Sequence, residues 1–456
     1  MMDLRWYQQE AVDAVWQYLR HASGNPIIVL PTGAGKSLCI AEMVRQSIAW
    51  GGNVIVLAHR KELLEQNADK VARVLPGVDI GIYSAGLKSR DTDHQVVCAG
   101  IQSCWKRAFE FGERKLVIID EVHLVANRDV GMYRRFIDEI RRGNGWVRFV
   151  GLTATPYRLQ DGMLTDGDLW DEIVYTAPIR KLIDQGYLSS LTNESAASTI
   201  NTSSLHTRGG EFVPKEMEGA FLSGSKVADV CREIAAKTTD RKSILIFGAG
   251  VDHACALSAC MQELTNEEVG IVTGDTLPLE RQSSLDRFKA GELRWLVNMD
   301  VLTTGFDAPN IDCIAVVRAT QSAGLFAQIC GRGFRVSPDK NDCLLLDFGN
   351  NLRRHGPLDS PGYGKRKYDD GGGQDSDDGY GDASPFKVCP QCKAEQHASH
   401  CWCDACGFRF PETESNHERE ADEESQVLSV PIVCNVESVE IMRHSGRKGK
   451  IDTLRA

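Results

Sequence analysis

No stretch of the 456-residue sequence approaches the ~20 consecutive apolar residues that a membrane-spanning helix requires, so no membrane span is expected. The N-terminus, MMDLRWYQQEAVDAV, lacks a basic region followed by an apolar run and does not read as a secretory signal, which makes a reducing cytoplasm the expected setting. Basic residues number 52 against 63 acidic ones. A net charge of −11 argues against a protein that coats nucleic acid by general attraction, yet it leaves room for a local basic track. Much of the acid is confined to residues 368–382 and 412–424. There is no internal repeat beyond a pairing of two halves, and no convincing carboxylate-and-lysine set of a nuclease. The fifteen cysteines do not form a disulfide framework: eleven are scattered, among them Cys39, Cys98, Cys313 and Cys330 in apolar segments, and four gather near the C-terminus.

A composition of 42% hydrophobic and 25% charged residues is that of an ordinary globular protein, and the length favours two or three domains. From residue 25 to about 150, short apolar runs (NPIIVL, GGNVIVLA, HQVVCA, KLVIIDE, WVRFVGLTAT) alternate with helical patterns. The same alternation returns in SILIFGAG, VGIVTGD, RWLVNMD, DCIAVVRA and DCLLLDFG. It predicts an α/β protein with two mostly parallel sheets covered by helices on both faces. The expected organisation is a first α/β domain over residues 1–175, a bridge over 176–225 and a second α/β domain over 226–356. A polar linker over 357–385, a cysteine module over 386–411 and an acidic C-terminal segment over 412–456 follow. Strand-like alternation in VLSVPIVCNVESVEI, shortly before the end, raises the expectation that the sequence is a piece of a longer one.

The sharpest local feature is the run Pro31, Thr32, Gly33, Ala34, Gly35, Lys36, Ser37, placed after the strand-like IIVL and before a helical pattern. Glycines let a backbone wrap a phosphate chain, a helix N-terminus offers free N–H groups, a lysine reaches the β- and γ-phosphates of ATP and a serine hydroxyl ligates Mg²⁺. Asp120 and Glu121 follow the apolar LVII. Phosphoryl transfer needs one carboxylate for the metal, assigned to Asp120 with Ser37, and one group to orient water, assigned to Glu121. Arg5 and Gln8 precede the glycine-rich loop by about one helix; a carboxamide matches the N6/N7 edge of adenine, although an exposed polar residue on an amphipathic helix is the plainer reading. Arg332 and Arg335, three apart, would share one helix face and enter one site as arginine fingers.

Taken together these segments resemble the superfamily 2 helicases over residues 3–355. PTGAGKS is similar to motif I, LAHRKELLEQ (57–66) to Ia, AGIQS (99–103) to Ib, DEVH (120–123) to II and LTATP (152–156) to III. ILIFGAG (244–250) is similar to IV, VLTTGFDAP (301–309) to V and QICGRGFR (328–335) to VI. The resemblance implies two RecA-like motor domains, with Gln328 joining Arg332 and Arg335 in catalysis and Gly305 and Asp307 facing the nucleotide. It further implies that Arg60, Gln102, Ser103 and Thr304 grip a DNA strand by its backbone without reading sequence. Several stretches look like the RadD branch of bacterial DNA repair helicases and their phage relatives, which implies a bacterial or phage-in-host setting; DEVH departs from the DECH common there.

Cys389 and Cys392, then ten residues, then Cys403 and Cys406, form paired CxxC knuckles suited to tetrahedral Zn²⁺; Cys401, His397 and His400 lie in the intervening loop as competing ligands, and a redox dithiol is the rival reading. The expected protein is an ATP- and Mg²⁺-dependent DNA helicase or translocase with a zinc ribbon, acting on single-stranded or branched DNA beside single-strand-binding or recombination proteins. Two alternatives stand: an RNA remodeller, and the motor subunit of a restriction or nuclease system.

Overall fold

A strand buried on both faces carries an unbroken apolar run, and LVIID, VVCAG and ILIFG have that form. In the computed structural model, which describes residues 4–125, 131–159, 162–303 and 305–359 and the strands Phe386–Val388, Glu395–His397, Met442–His444 and Thr453–Arg455, each apolar run of the two α/β halves becomes a strand. The first half is an eight-stranded sheet. Its order is Glu172–Thr176, Pro26–Val29, Arg148–Thr153, Leu116–Asp120, Val54–Ala58, Val96–Gly100, Ile80–Ser84, Ser89–Arg90, and every pairing is parallel except the last. The second half is a six-stranded parallel sheet ordered Ser190–Glu194, Asp342–Asp347, Cys313–Val317, Ile244–Gly248, Trp295–Asn298, Val269–Val272.

The strand Pro26–Val29 lies between Glu172–Thr176 and Arg148–Thr153, while the next strand in the chain, Val54–Ala58, lies beyond Leu116–Asp120. Such a break in strand order leaves a crevice at the carboxyl ends of the strands, where open parallel sheets hold their ligands. The glycine-rich loop, Asp120 and Thr153 all sit at those ends. One apolar cluster runs through both halves: it takes in Ile28 and Ile118 from the first sheet, Leu245 and Ile314 from the second, and Leu182, Leu188 and Leu191 from the chain segment between them.

The bridge expected over 176–225 is shorter than the sequence suggested. Ser190–Glu194 is an edge strand of the second sheet, and Ile200, Phe212, Met217 and Phe221 pack into the second core. Their apolar positions are single and irregularly spaced, so no periodicity marks them. The knuckle cysteines Cys389, Cys392, Cys403 and Cys406 lie outside the described residues, although the strands Phe386–Val388 and Glu395–His397 pair antiparallel around the first CxxC. No described helix is long and apolar enough to cross a membrane.

Candidate nucleotide and nucleic-acid site

Gly33 (φ 89°) and Gly35 (φ 81°) take the left-handed conformation that only glycine adopts freely, and the helix Lys36–Ala49 starts directly after them. The loop is braced from behind. Tyr7 Oη and Gln8 Nε2 both donate to the carbonyl of Ala34, at 3.0 and 2.9 Å, and Gln8 Oε1 accepts from Arg5 N at 3.0 Å. Gln8 is therefore buried and engaged at both ends of its amide, in a bracing role the sequence did not suggest; Tyr7, its partner in that role, was missed altogether. Arg5 lies over the Tyr187 ring at 4.7 Å, which ties this helix to the segment leading into the second half.

Lys36 Nζ donates to Leu30 O at 3.3 Å and lies 3.6 Å from Glu121 Oε1. Asp120 Oδ2 accepts from Asn67 Nδ2 at 2.9 Å, so the residue that orients the proposed metal ligand comes from the helix Lys61–Val74, another feature the sequence did not reveal. Burial first, and then the charge of Glu121, push the Asp120 carboxyl up. Burial also opposes charge on Glu121, but Lys36 and His123 outweigh it and hold that carboxyl down. Two adjacent acids thus differ: Glu121 keeps its charge next to Lys36, and Asp120 is an acid whose ionised form a divalent cation would favour. Glu121 has φ 54°, a left-handed conformation costing a non-glycine residue about 1 kcal/mol.

Motif VI reaches this crevice from the second half. Gln328 Nε2 and His123 Nε2 are 2.8 Å apart. With the amide donating, the imidazole proton sits on Nδ1, which lies 3.0 Å from Thr153 Oγ1 and 3.3 Å from Glu121 Oε2. One histidine therefore joins motifs II, III and VI. The expected shared helix face for Arg332 and Arg335 is not what forms: the helix Ala323–Cys330 ends before them, and the glycine-containing turn Gly331-Arg332-Gly333 carries both guanidiniums to the site instead. Arg332 donates to Phe306 O at 2.6 Å and Thr303 O at 2.9 Å, and Arg335 Nε lies 2.6 Å from Asp307 Oδ1. Lys340, also missed, is buried and donates to Arg335 O at 2.8 Å and to Gly333 O at 2.5 Å, which fixes the turn.

Two donors in this turn remain unused. Arg332 Nε and Arg335 Nη1 are buried without a hydrogen-bond partner among the described residues. Burial, with Arg335 close by, disfavours the Arg332 charge, and Glu121 only partly offsets that. An anion in the crevice would satisfy both donors and relieve the repulsion. The turn lies against the glycine-rich loop: a Cβ placed on Gly331 would be 2.7 Å from Thr32 Cβ and one on Gly33 would be 3.4 Å from Arg335 Cγ.

The residues expected on a nucleic-acid strand lie past the carboxyl ends of Val54–Ala58 and Val96–Gly100, at the junction with motif V. Arg60 Nη1 donates to Val301 O at 3.3 Å, and Gln66 Nε2 donates to Gly305 O at 2.9 Å. Gln102 Nε2 lies 3.3 Å from His59 Nε2, and Ser103 Oγ accepts from Ala85 N at 2.9 Å. Thr304 lies outside the described residues. Arg60 and Asp307 are thus engaged within the chain, and Gln102 keeps an exposed face.

A glycine loop and paired acids in one parallel sheet, with arginines delivered by a second, define the class of two-domain nucleotide-driven proteins. Residues 1–158 match the family described as the type III restriction enzyme res subunit, and residues 225–337 match the helicase conserved C-terminal domain. The chain belongs to the superfamily 2 helicases. It is 29% identical over 364 residues to a candidate ATP-dependent helicase, IRC3, of Saccharomyces cerevisiae, covering 76% of this chain and 51% of that one. It is 28% identical over 361 residues to the DNA 3'-5' helicase XPB of Mycobacterium tuberculosis, covering 75% of this chain and 60% of that one. The fragment structure of a candidate HsdR subunit of a type I restriction enzyme from Vibrio vulnificus shares its fold, with a TM-score of 0.60 and 21% identity, over 75% of this chain and 64% of that one. The chain therefore spans about half the length of IRC3 and three fifths of XPB.

Proposed function

We propose that the protein is an ATP-hydrolysing motor that moves along, or unwinds, DNA. The observation that carries this reading is the pair of unused guanidinium donors, Arg332 Nε and Arg335 Nη1, brought by the second half against the glycine loop of the first. A γ-phosphate bound there would be held from both sides, so hydrolysis would alter the fit between the halves. Lys36 and Ser37 would bind the β- and γ-phosphates and Mg²⁺ respectively, Asp120 would hold the metal through Asn67-supported geometry, and Glu121 would orient water. Mg²⁺ supplies charge neutralisation on the transferred phosphoryl group. DNA as the track is supported by the named activity of the XPB relative and by the polar edge around Gln102. The test is the steady-state ATPase rate without nucleic acid and with single-stranded, duplex and forked DNA and with RNA, at two salt concentrations. Stimulation by DNA that weakens with salt is expected; stimulation by RNA alone would make the protein an RNA remodeller.

A second reading, the motor part of a restriction system, is favoured by the family match over residues 1–158 and by the HsdR-like fold. It shares the same motor and would draw its cutting activity from elsewhere. A role in DNA repair, next to single-strand-binding or recombination proteins, rests on the RadD-like motif stretches alone.

We also propose that Cys389, Cys392, Cys403 and Cys406 bind one Zn²⁺, on the strength of their spacing and of the antiparallel strands flanking the first knuckle. Replacing Cys392 and Cys403 with serine is expected to remove one equivalent of zinc by elemental analysis; unchanged zinc content would overturn the ligand set.

A further inference from the structure

We infer that Trp105, Lys106 and Arg135 form a phosphate-contacting site that extends the path of a DNA strand beyond Gln102 and Ser103. The inference rests on the DNA-motor reading above and adds a contact that none of the motifs contains.

Trp105 closes the short helix Ile101–Cys104, which carries Gln102 and Ser103. Lys106 Nζ lies 4.7 Å and Arg135 Cζ 5.3 Å from the centroid of the Trp105 ring. Both cations are exposed, and neither is paired with a carboxylate among the described residues. Their neighbours differ: Arg107 lies 3.1 Å from Glu110 Oε1, and Arg134 pairs with Asp168. A carboxylate neutralises the cation it holds. An aromatic face orients a cation for about 0.5–1 kcal/mol at an exposed site and leaves its full charge for another ligand. In a chain with 52 basic against 63 acidic residues, two adjacent cations held in this way form a local positive site.

The position fits a strand. Two residues before Arg135, the ring of Tyr133 stacks on His59 at 6.4 Å, and His59 touches Gln102. Trp105 and Lys106 stand three and four positions after Gln102 on the same helical turn, and the Trp105 ring holds Arg135, so the cation pair lies beside motif Ib. An exposed pair next to polar Gln102 and Ser103 suits a run of phosphates, whose spacing lets successive groups meet Gln102 and then the cations; backbone contacts of this kind position a strand without reading its bases.

The test uses the full chain and a fluorescein-labelled dT20 oligonucleotide, with anisotropy titrations at a series of KCl concentrations. For the Lys106→Gln/Arg135→Gln variant the slope of log K against log salt is expected to fall in magnitude by about 1.4, at ~0.7 per lost contact on a single strand. Arg107→Gln, which removes a neutralised cation from the same surface, is expected to shift the dissociation constant by less than about twofold. If the double variant is unstable, Lys106→Gln alone is expected to lower the slope by about 0.7. A wild-type slope in Lys106→Gln and in the double variant would overturn the site while leaving the DNA reading intact. A wild-type protein that fails to bind dT20 at any salt would overturn the site, and one that also fails to bind a 20-base-pair duplex would overturn the DNA reading with it.

Discussion

Arg332 joins the most relations at the residue scale. It is held by two motif V carbonyls, is placed close enough to Glu121 to feel its charge, and keeps one buried donor unused. A group fixed this way before the nucleotide arrives costs little reorganisation when charge spreads onto a transferred phosphoryl group. Arg332→Ala is expected to lower kcat by about 10³-fold or more while KM for ATP changes by less than about fivefold. A loss confined to KM, in steady-state kinetics, would mean that Arg332 binds the ground state only. The residues of this site were legible in the sequence where their chemistry is local: PTGAGKS and the Asp120–Glu121 pair announce themselves by what stands next to them. Asn67, Tyr7 and Lys340 were not, because they act on partners 53, 27 and 5–7 positions away through side-chain hydrogen bonds, one each for Asn67 and Tyr7 and two for Lys340, that no local pattern encodes. The same reason hid the bracing role of Gln8 and the engagement of Asp307 by Arg335.

The elements were legible wherever burial on both sides made a strand continuously apolar. Ile80–Ser84, Glu172–Thr176 and Ser190–Glu194 were missed because they lie toward sheet edges and carry polar or half-buried residues. Arg332 and Arg335 do enter one site, but a turn delivers them, since glycines at 331 and 333 end the helix that their spacing suggested. Gly331 has a second reason to be glycine. A Cβ there would lie 2.7 Å from Thr32 Cβ and 2.9 Å from the Ala327 carbonyl, so alanine would wedge motif VI away from the glycine loop. Gly331→Ala is expected to cut ATP turnover by about tenfold or more, since a misplacement of roughly 1 Å is costly in a preorganised site. The melting temperature is expected to fall by only a few degrees. A variant with full turnover would show that the two halves do not need this close approach.

At the scale of the whole molecule, the second half carries two histidines that burial pushes down to about 4, His253 and His355. His253 Nδ1 accepts from Ala249 N at 3.0 Å, and His355 Nε2 lies 2.9 Å from Thr320 O, to which it donates. The bond His253 accepts needs a neutral ring, whereas the bond His355 donates would tolerate a charged one, and burial alone outweighs it to keep His355 neutral. A histidine depressed in the folded state contributes its full stability above its ordinary value of ~6.5, and loses it as pH falls towards 4, because the unfolded chain takes up the proton first. Each therefore costs about 2 kcal/mol of stability at pH 5. Calorimetry at pH 7.5 and 5 is expected to show the second half melting earlier at the lower pH, with His355→Gln reducing the difference. An unchanged difference would remove His355 from that account.

The central claim is that hydrolysis at the junction of the two halves drives movement along DNA. The most direct measurement is stopped-flow fluorescence on single-stranded oligonucleotides of increasing length, labelled at one end, with ATP added to preformed complexes and Lys36→Ala as the control. The account predicts a signal peak whose delay grows in proportion to length and vanishes in Lys36→Ala. ATP hydrolysis stimulated by the same oligonucleotides, with an arrival time independent of length, would contradict it.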